Sequence, residues 1–331
     1  MPRELPPLIL PPLTDPPPPG SRVVRTDDGV DLHVEFDGPA GGGGVGGDTA
    51  APLTVVFSHG FTARLAEWEL QRLVLRDRYR LVFWDQRGHG RSAATPLPDA
   101  TIDRTGRDLA QVLDAVVPTG PVVLVGHSMG GMSIMALARR RPELFGTRVV
   151  GAFLLATSAG GLVESGLLGW LLKLVRRLHL LPVYLRLLQL TAPLLERLRW
   201  RGSPFGRWFT RRFLFGNRAD ADPTSVRLVQ GLLEETPFPV TAAFYATFLD
   251  HEEYGSLPVL SRIPVTVVAA SHDRLTPAAH GRRLAEDIGP SAELVMVEGA
   301  GHSVNLTRTD VVDRALLDLL ERVQTEGRQA G

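Results

Sequence analysis

The chain has 331 residues, 44% hydrophobic and 22% charged, with 36 basic and 36 acidic side chains that cancel. Those proportions fit a folded globular protein, argue against a globally basic nucleic-acid binder, and leave room for one core plus an inserted element. The absence of cysteine excludes disulfides, a cysteine nucleophile and thiolate metal sites.

Residues 1–20, MPRELPPLILPPLTDPPPPG, read as a proline-rich extended or disordered tail. The apolar run at 8–10 is far shorter than the roughly 7–15 residues of a signal-peptide core. No segment reaches the roughly 18 uninterrupted apolar residues of a membrane span. The best candidate, 162–181, holds Glu164, Lys173, Arg176, Arg177 and His179. A cytoplasmic location is the default expectation.

Two β-prone segments, 21–25 and 30–36, flank Asp28-Gly29 and predict a hairpin. The glycine-rich stretch 38–47 contains Gly42-x-Gly44-x-x-Gly47, a dinucleotide-binding pattern. A proline and a strand follow it, where that motif needs a helix N-terminus, so the reading fails. Strands are then predicted at 53–58, 79–84, 121–127, 148–156, 264–270 and 292–297. Their apolar runs suit parallel strands covered on both faces. Helices fit between them at 66–75, 102–117, 129–140, 277–287 and 309–323. The alternation predicts an α/β fold, a mostly parallel central sheet with helices on both faces.

From 157 to about 250 no strand is evident. Leucine- and arginine-rich helices punctuated by prolines predict a helical cap inserted between the sixth and seventh core strands. The expected organisation is a tail at 1–20, a core at 21–157 and 251–331, and a cap at 158–250.

Gly126-His127-Ser128-Met129-Gly130 matches G-x-S-x-G, between the strand ending at 127 and the helix that follows. The glycines allow a strained turn that presents the serine hydroxyl. The helix N-terminus below offers unpaired N–H groups to an oxyanion. Ser58-His59-Gly60-Phe61 ends the third strand, and Gly60 lets the chain turn there, so the N–H groups of Phe61 and Met129 are expected to form a two-donor oxyanion hole. In this His-Gly pair, in the loop 85–92 (DQRGHGRS) and in Gly299-Ala300-Gly301-His302, the sequence resembles the α/β-hydrolase family, over about 21–323 and more weakly through the cap.

That resemblance implies His302 as general base and Asp273, after the seventh strand, as the acid that orients it. Asp250 is the runner-up acid. The order Ser128, Asp273, His302 is the order expected for the fold. Of the nine histidines, His59, His89 and His127 are expected to bond loops rather than react. His251, beside Glu252 and Glu253, reads as part of a solvated charge cluster and not as a metal site. The alternative for Asp273 is a plain helix cap.

The expected chemistry is hydrolysis of a carboxylic ester of a lipophilic acyl substrate, with no metal or organic cofactor. Thioesterase, lactonase, C–C bond hydrolase and perhydrolase chemistry use the same triad, and a non-catalytic receptor on the scaffold is a further alternative. A serine nucleophile argues against the branches that use aspartate at this place. An apolar stripe including Leu167 and Leu171, with Trp208 and Phe209, is expected to wall an acyl pocket. Between 158 and 218 eleven basic residues face two acidic ones. One reading, the favoured one, docks a basic cap on an acidic core face. The other makes the cap a peripheral contact for anionic lipid or an acidic substrate.

Overall fold

The computed structural model describes residues 12–39, 53–162, 174–175, 177–198, 202–217, 220–248 and 250–330. An eight-stranded sheet organises them, in the order β1-β2-β4-β3-β5-β6-β7-β8. The strands are β1 (Arg22–Arg25), β2 (Asp31–Asp37), β3 (Thr54–Ser58), β4 (Arg80–Trp84), β5 (Val122–His127), β6 (Val149–Leu155), β7 (Val265–Ala270) and β8 (Ala292–Val297). The β1–β2 and β2–β4 pairs are antiparallel and the rest parallel. At the hairpin, Gly29 adopts φ 83°, which a side chain would resist.

Helices cover both faces because the central strands are apolar on both. Val56, Val82, Leu124 and Leu154 pack on the face shared with α2 (Ile102–Val116) and α3 (Met129–Arg140). Val55, Phe57, Phe83 and Val125 pack on the opposite face, against Leu316, Leu319 and Leu320 of the C-terminal helix, which spans Thr309–Ala330. The short α1 (Glu69–Leu75) lies on that second face. One strand departs from expectation. β8 is the sheet edge, and Glu293 and Leu294 are exposed, so it is not covered on both faces.

Between β6 and β7 the described residues form α4 (Leu181–Leu198), α5 (Pro204–Phe213), α6 (Pro223–Glu235) and α7 (Phe238–Thr247). Prolines at the starts of α5, α6 and α7 explain the punctuation, because the first helical turn tolerates a residue without N–H. Ser203 and Asp222 cap α5 and α6 by accepting backbone N–H bonds. Two ion pairs tie residues beyond the arginine-rich stretch 158–218 to the core. Arg64 to Glu235 and Arg308 to Asp220 both put the arginine on the core side. After β7 comes α8 (Ala278–Ile288). Among the described residues no helix is long and apolar enough to cross a membrane.

Candidate active site

β5 runs into α3 through Ser128, whose backbone is at φ 50°, ψ −114°. A non-glycine residue rarely holds that conformation, and here close packing enforces it. A Cβ on Gly126 would lie 2.5 Å from the Gly131 nitrogen, and one on Gly130 would lie 2.1 Å from the Ser58 carbonyl oxygen. The turn is therefore wedged between β3 and the first turn of α3, and only glycine fits at its two ends. The Ser128 N–H donates to the Leu155 carbonyl at 2.9 Å, and the Ser128 carbonyl accepts from Thr157 Oγ1 at 2.7 Å.

His302 and Asp273 meet although 29 residues separate them: Nδ1 donates to Oδ2 at 2.8 Å. Both are buried, at 5% exposure each. Asp273 also accepts the N–H groups of Leu275 and Thr276 on Oδ1, at 2.8 and 2.9 Å, and the Thr276 hydroxyl on Oδ2 at 2.7 Å. Burial alone would raise its carboxyl, but the charge of His302 and these bonds outweigh it and hold the group below the usual carboxylate range. Asp273 does not cap α8, whose N-cap residue, Pro277, makes no side-chain bond. Asp250 is exposed, and with Leu97, Ile102, Arg139 and Ala246 it borders a cleft of about 320 Å³ that none of Ser128, Asp273 and His302 lines.

The His302 loop reaches the serine turn through His127, whose Nε2 donates to the His302 carbonyl at 3.1 Å, the two rings lying 4.8 Å apart. Phe61 follows Gly60 at the end of β3, and Met129 opens α3. Among the described residues neither N–H has a protein acceptor. Both can serve an oxyanion, and each such donor is typically worth about 3 kcal/mol in a transition state.

The loop histidines are structural. His59 donates from Nδ1 to the Gly60 carbonyl at 2.7 Å and accepts the Gln86 N–H on Nε2 at 2.8 Å. His89 donates to the Arg87 carbonyl and accepts the Thr62 N–H. Burial pushes His59 well below the ordinary histidine value and His89 down to about 4. His251 is no member of a solvated cluster. It is buried, it donates to the Ser158 carbonyl at 2.8 Å, and its neighbour Glu253 is buried against Arg139. Among the described residues no group of His, Asp and Glu could hold a metal ion.

Leu167 and Leu171 lie outside the described residues. Trp208 and Phe209 stand on α5 at 54% and 39% exposure, and their ring contacts are with Phe205 and Phe213. Sequence reasoning missed a different aromatic group. Phe248, just after α7, meets Phe61 edge-on at 5.1 Å and touches Tyr245, and Phe244 packs on His89. Only the three-dimensional return of α7 to the β3 loop brings these rings to Phe61, and no local pattern signals it.

The model of the alpha/beta hydrolase family matches residues 55–315. The chain belongs to that family. As an alpha/beta hydrolase it is 29% identical, over 272 residues, to 3-oxoadipate enol-lactonase 2 of Acinetobacter baylyi, covering 81% of this chain and 88% of that one. Among solved structures, a thermophilic esterase from Thermogutta terrifontis superposes with a TM-score of 0.68 at 23% identity, over 92% of this chain and 98% of that one. The enol-lactonase from Burkholderia xenovorans LB400 gives 0.68 at 22%, over 91% and 100%. At such identities the two superpositions establish the shared fold.

Proposed function

We propose that this hydrolase is a serine esterase that cleaves a carboxylic ester of a lipophilic acyl substrate through an acyl-enzyme, with residues 158–250 as its cap. The observation that carries the reading is the buried Asp273–His302 bond beside the strained serine turn. In this mechanism His302 Nε2 takes the Ser128 proton as Oγ attacks the carbonyl carbon. The carbonyl oxygen becomes an anion bound by the N–H groups of Phe61 and Met129. As the anion collapses, the C–O bond to the leaving alcohol breaks and His302 returns the proton to it. Water, deprotonated by the same imidazole, then attacks the acyl carbon, the bond to Ser128 Oγ breaks as His302 returns the proton to it, and the acid is released. Asp273 holds the tautomer with its proton on Nδ1, which leaves Nε2 free to accept. The A. baylyi enol-lactonase supports a cyclic ester as a second reading, because opening a lactone uses the same steps.

A fluorophosphonate probe tests the nucleophile. It should label Ser128 in the native protein and nothing in Ser128→Ala, and p-nitrophenyl esters of graded length should be turned over only by the native chain. Absence of labelling and of turnover in the native protein would favour a receptor.

The apolar surface of the cap supports an anionic lipid membrane as the place where such a substrate is met. On α4, Val183, Leu187, Leu190 and Leu194 recur at helical spacing and are 53–72% exposed. Phe205 and Trp208 follow on α5, also exposed. Arg177, Arg186, Arg207, Arg211 and Arg212 are exposed in the same stretch. Its strong positive balance disfavours a second copy of the same face and suits anionic headgroups. Vesicles rich in phosphatidylglycerol should sediment the protein at low salt, and vesicles of phosphatidylcholine should not. Leu187→Asp with Leu190→Asp should release it. No sedimentation, or a dimer that these substitutions dissociate, would overturn the lipid reading.

A further inference from the structure

Beside the triad lies a buried titratable pair that its chemistry does not use. Glu67, in the turn after the β3 loop, and His127, immediately before Ser128, are 5% and 6% exposed. Glu67 accepts the Gly60 N–H on Oε1 at 2.7 Å and faces His127 Nδ1 with Oε2 at 3.2 Å. On its other side His127 Nε2 faces the His302 carbonyl at 3.1 Å. Both ring nitrogens therefore point at acceptors, one a carboxylate oxygen and one a carbonyl oxygen.

A neutral imidazole carries one N–H and satisfies one such acceptor. Against an ionised Glu67, only the doubly protonated ring satisfies both. His59 and His89 are the internal contrast, since each faces one acceptor and one backbone N–H and is complete when neutral.

We infer that Glu67 and His127 form a buried carboxylate–imidazolium pair that positions the oxyanion loop and the base loop against the nucleophile. This rests on the serine-hydrolase reading for its catalytic consequence but not for its charge state. The pair touches all three segments of that site. Glu67 holds Gly60, one residue before the Phe61 donor. His127 is continuous with Ser128 and holds the carbonyl of His302. Bonds with a charged partner are roughly twice as strong as neutral ones, which suits a clamp between loops 60 and 175 residues apart in sequence. A Cβ on Gly60 would lie 2.8 Å from His127 Nδ1, so the oxyanion loop leaves room for nothing else there.

Electrostatics agree with the geometry. Burial by itself would push His127 down, but the Glu67 charge and hydrogen bond, the His302 carbonyl and the charge of Asp273 outweigh it and hold the ring above the ordinary histidine value. The other groups facing it are the His302 imidazole, with ring centres 4.8 Å apart, His59, which the His127 charge pushes down further, and the Trp68 ring, edge-on at 6.3 Å.

Glu67→Gln is the discriminating variant. It keeps an oxygen for the Gly60 N–H and sets an amide N–H against His127 Nδ1, so a neutral ring then satisfies every partner. The protein is labelled with ¹⁵N-histidine and the ring protons of His127 are read by NMR at pH 7.5. Both nitrogens should carry a proton in the native chain, and only Nε2 in the variant. With p-nitrophenyl butyrate the variant should lose about tenfold in kcat with KM within twofold. It should also lose an alkaline limb in kcat that marks loss of the His127 proton in the native enzyme. A single ring proton in the native chain overturns the pair, and so does a Gln variant with native kcat and a native alkaline limb. If the native chain hydrolyses no ester, the esterase reading fails, and the NMR result still decides the charge state.

Discussion

The N–H of Ser303 donates to the carbonyl of Leu214 at 3.0 Å, which ties the loop carrying His302 to the segment following α5. The contact is close along its length. A Cβ on Gly216 would lie 2.2 Å from the Gly299 carbonyl oxygen, and one on Gly301 would lie 2.3 Å from the Gly216 nitrogen. The segment following α5 is thus seated directly on the loop that carries His302. Gly216→Val should force the two apart. The expected cost is about 1–3 kcal/mol of stability from overpacking, read by chemical denaturation, with at least a tenfold loss of kcat for short and long esters alike. A variant with native kcat would show that the seat does not hold the base.

Asp273→Asn keeps acceptance of the Leu275 and Thr276 N–H groups but removes the carboxylate that fixes the imidazole. Its kcat should fall on the order of 10⁴-fold, as when a triad imidazole is held in the wrong tautomer. Asp250→Asn should change kcat less than about twofold, because that residue is exposed and the imidazole of His302 is bonded to Asp273 instead. Stopped assays on both purified variants check this, and the opposite ranking would name Asp250 as the acid.

The strand–helix alternation and the loops carrying Ser128, Asp273 and His302 were readable because each depends on local signals: an apolar run, a glycine turn, a helix start. What was unreadable depends on contacts between distant segments. His127 looked like an ordinary loop histidine because its partner Glu67 lies 60 residues earlier. His251 looked solvated beside two glutamates because nothing local reports that it turns inward to Ser158. β8 has the same apolar character as its neighbours, and its edge position follows from the order of the whole sheet.

His251 predicts a pH effect on stability. Burial pushes its imidazole down to about 4, from an ordinary value of 6.5. Between these values the unfolded chain binds a proton that the folded chain refuses, so stability rises with pH through this window and falls on acidification. From pH 7 to pH 5 the residue should cost about 1–2 kcal/mol. His251→Gln can still donate to the Ser158 carbonyl but does not titrate. Urea unfolding of both proteins at the two pH values should show a smaller loss for the variant by that amount. Asp85 and Asp313, both pushed up to about 6 by burial, act in the opposite sense but equally in both proteins. Equal losses in the two proteins would mean that the His251 ring is protonated while folded.

The choice of acyl group should be made by the aromatic rings at the end of α7. Phe248 stands edge-on to Phe61 at 5.1 Å and touches Tyr245 at 6.2 Å. Phe61 is also the residue whose N–H is proposed to bind the oxyanion, so an acyl chain leaving that point meets Phe248 early. Trp208, by contrast, is 54% exposed and contacts Phe205 and Phe213. Removing the Phe248 ring should open space next to the reacting carbonyl. Each methylene that gains or loses an apolar contact is worth about 1–3 kcal/mol in discrimination. Phe248→Ala should therefore raise the ratio of octanoate to acetate kcat/KM by roughly tenfold or more. Trp208→Ala should leave that ratio within about twofold and weaken binding to phosphatidylglycerol vesicles instead. The two variants separate the pocket from the surface: a shift in chain-length preference in Trp208→Ala with none in Phe248→Ala would place the acyl pocket against α5, where the tryptophan stands.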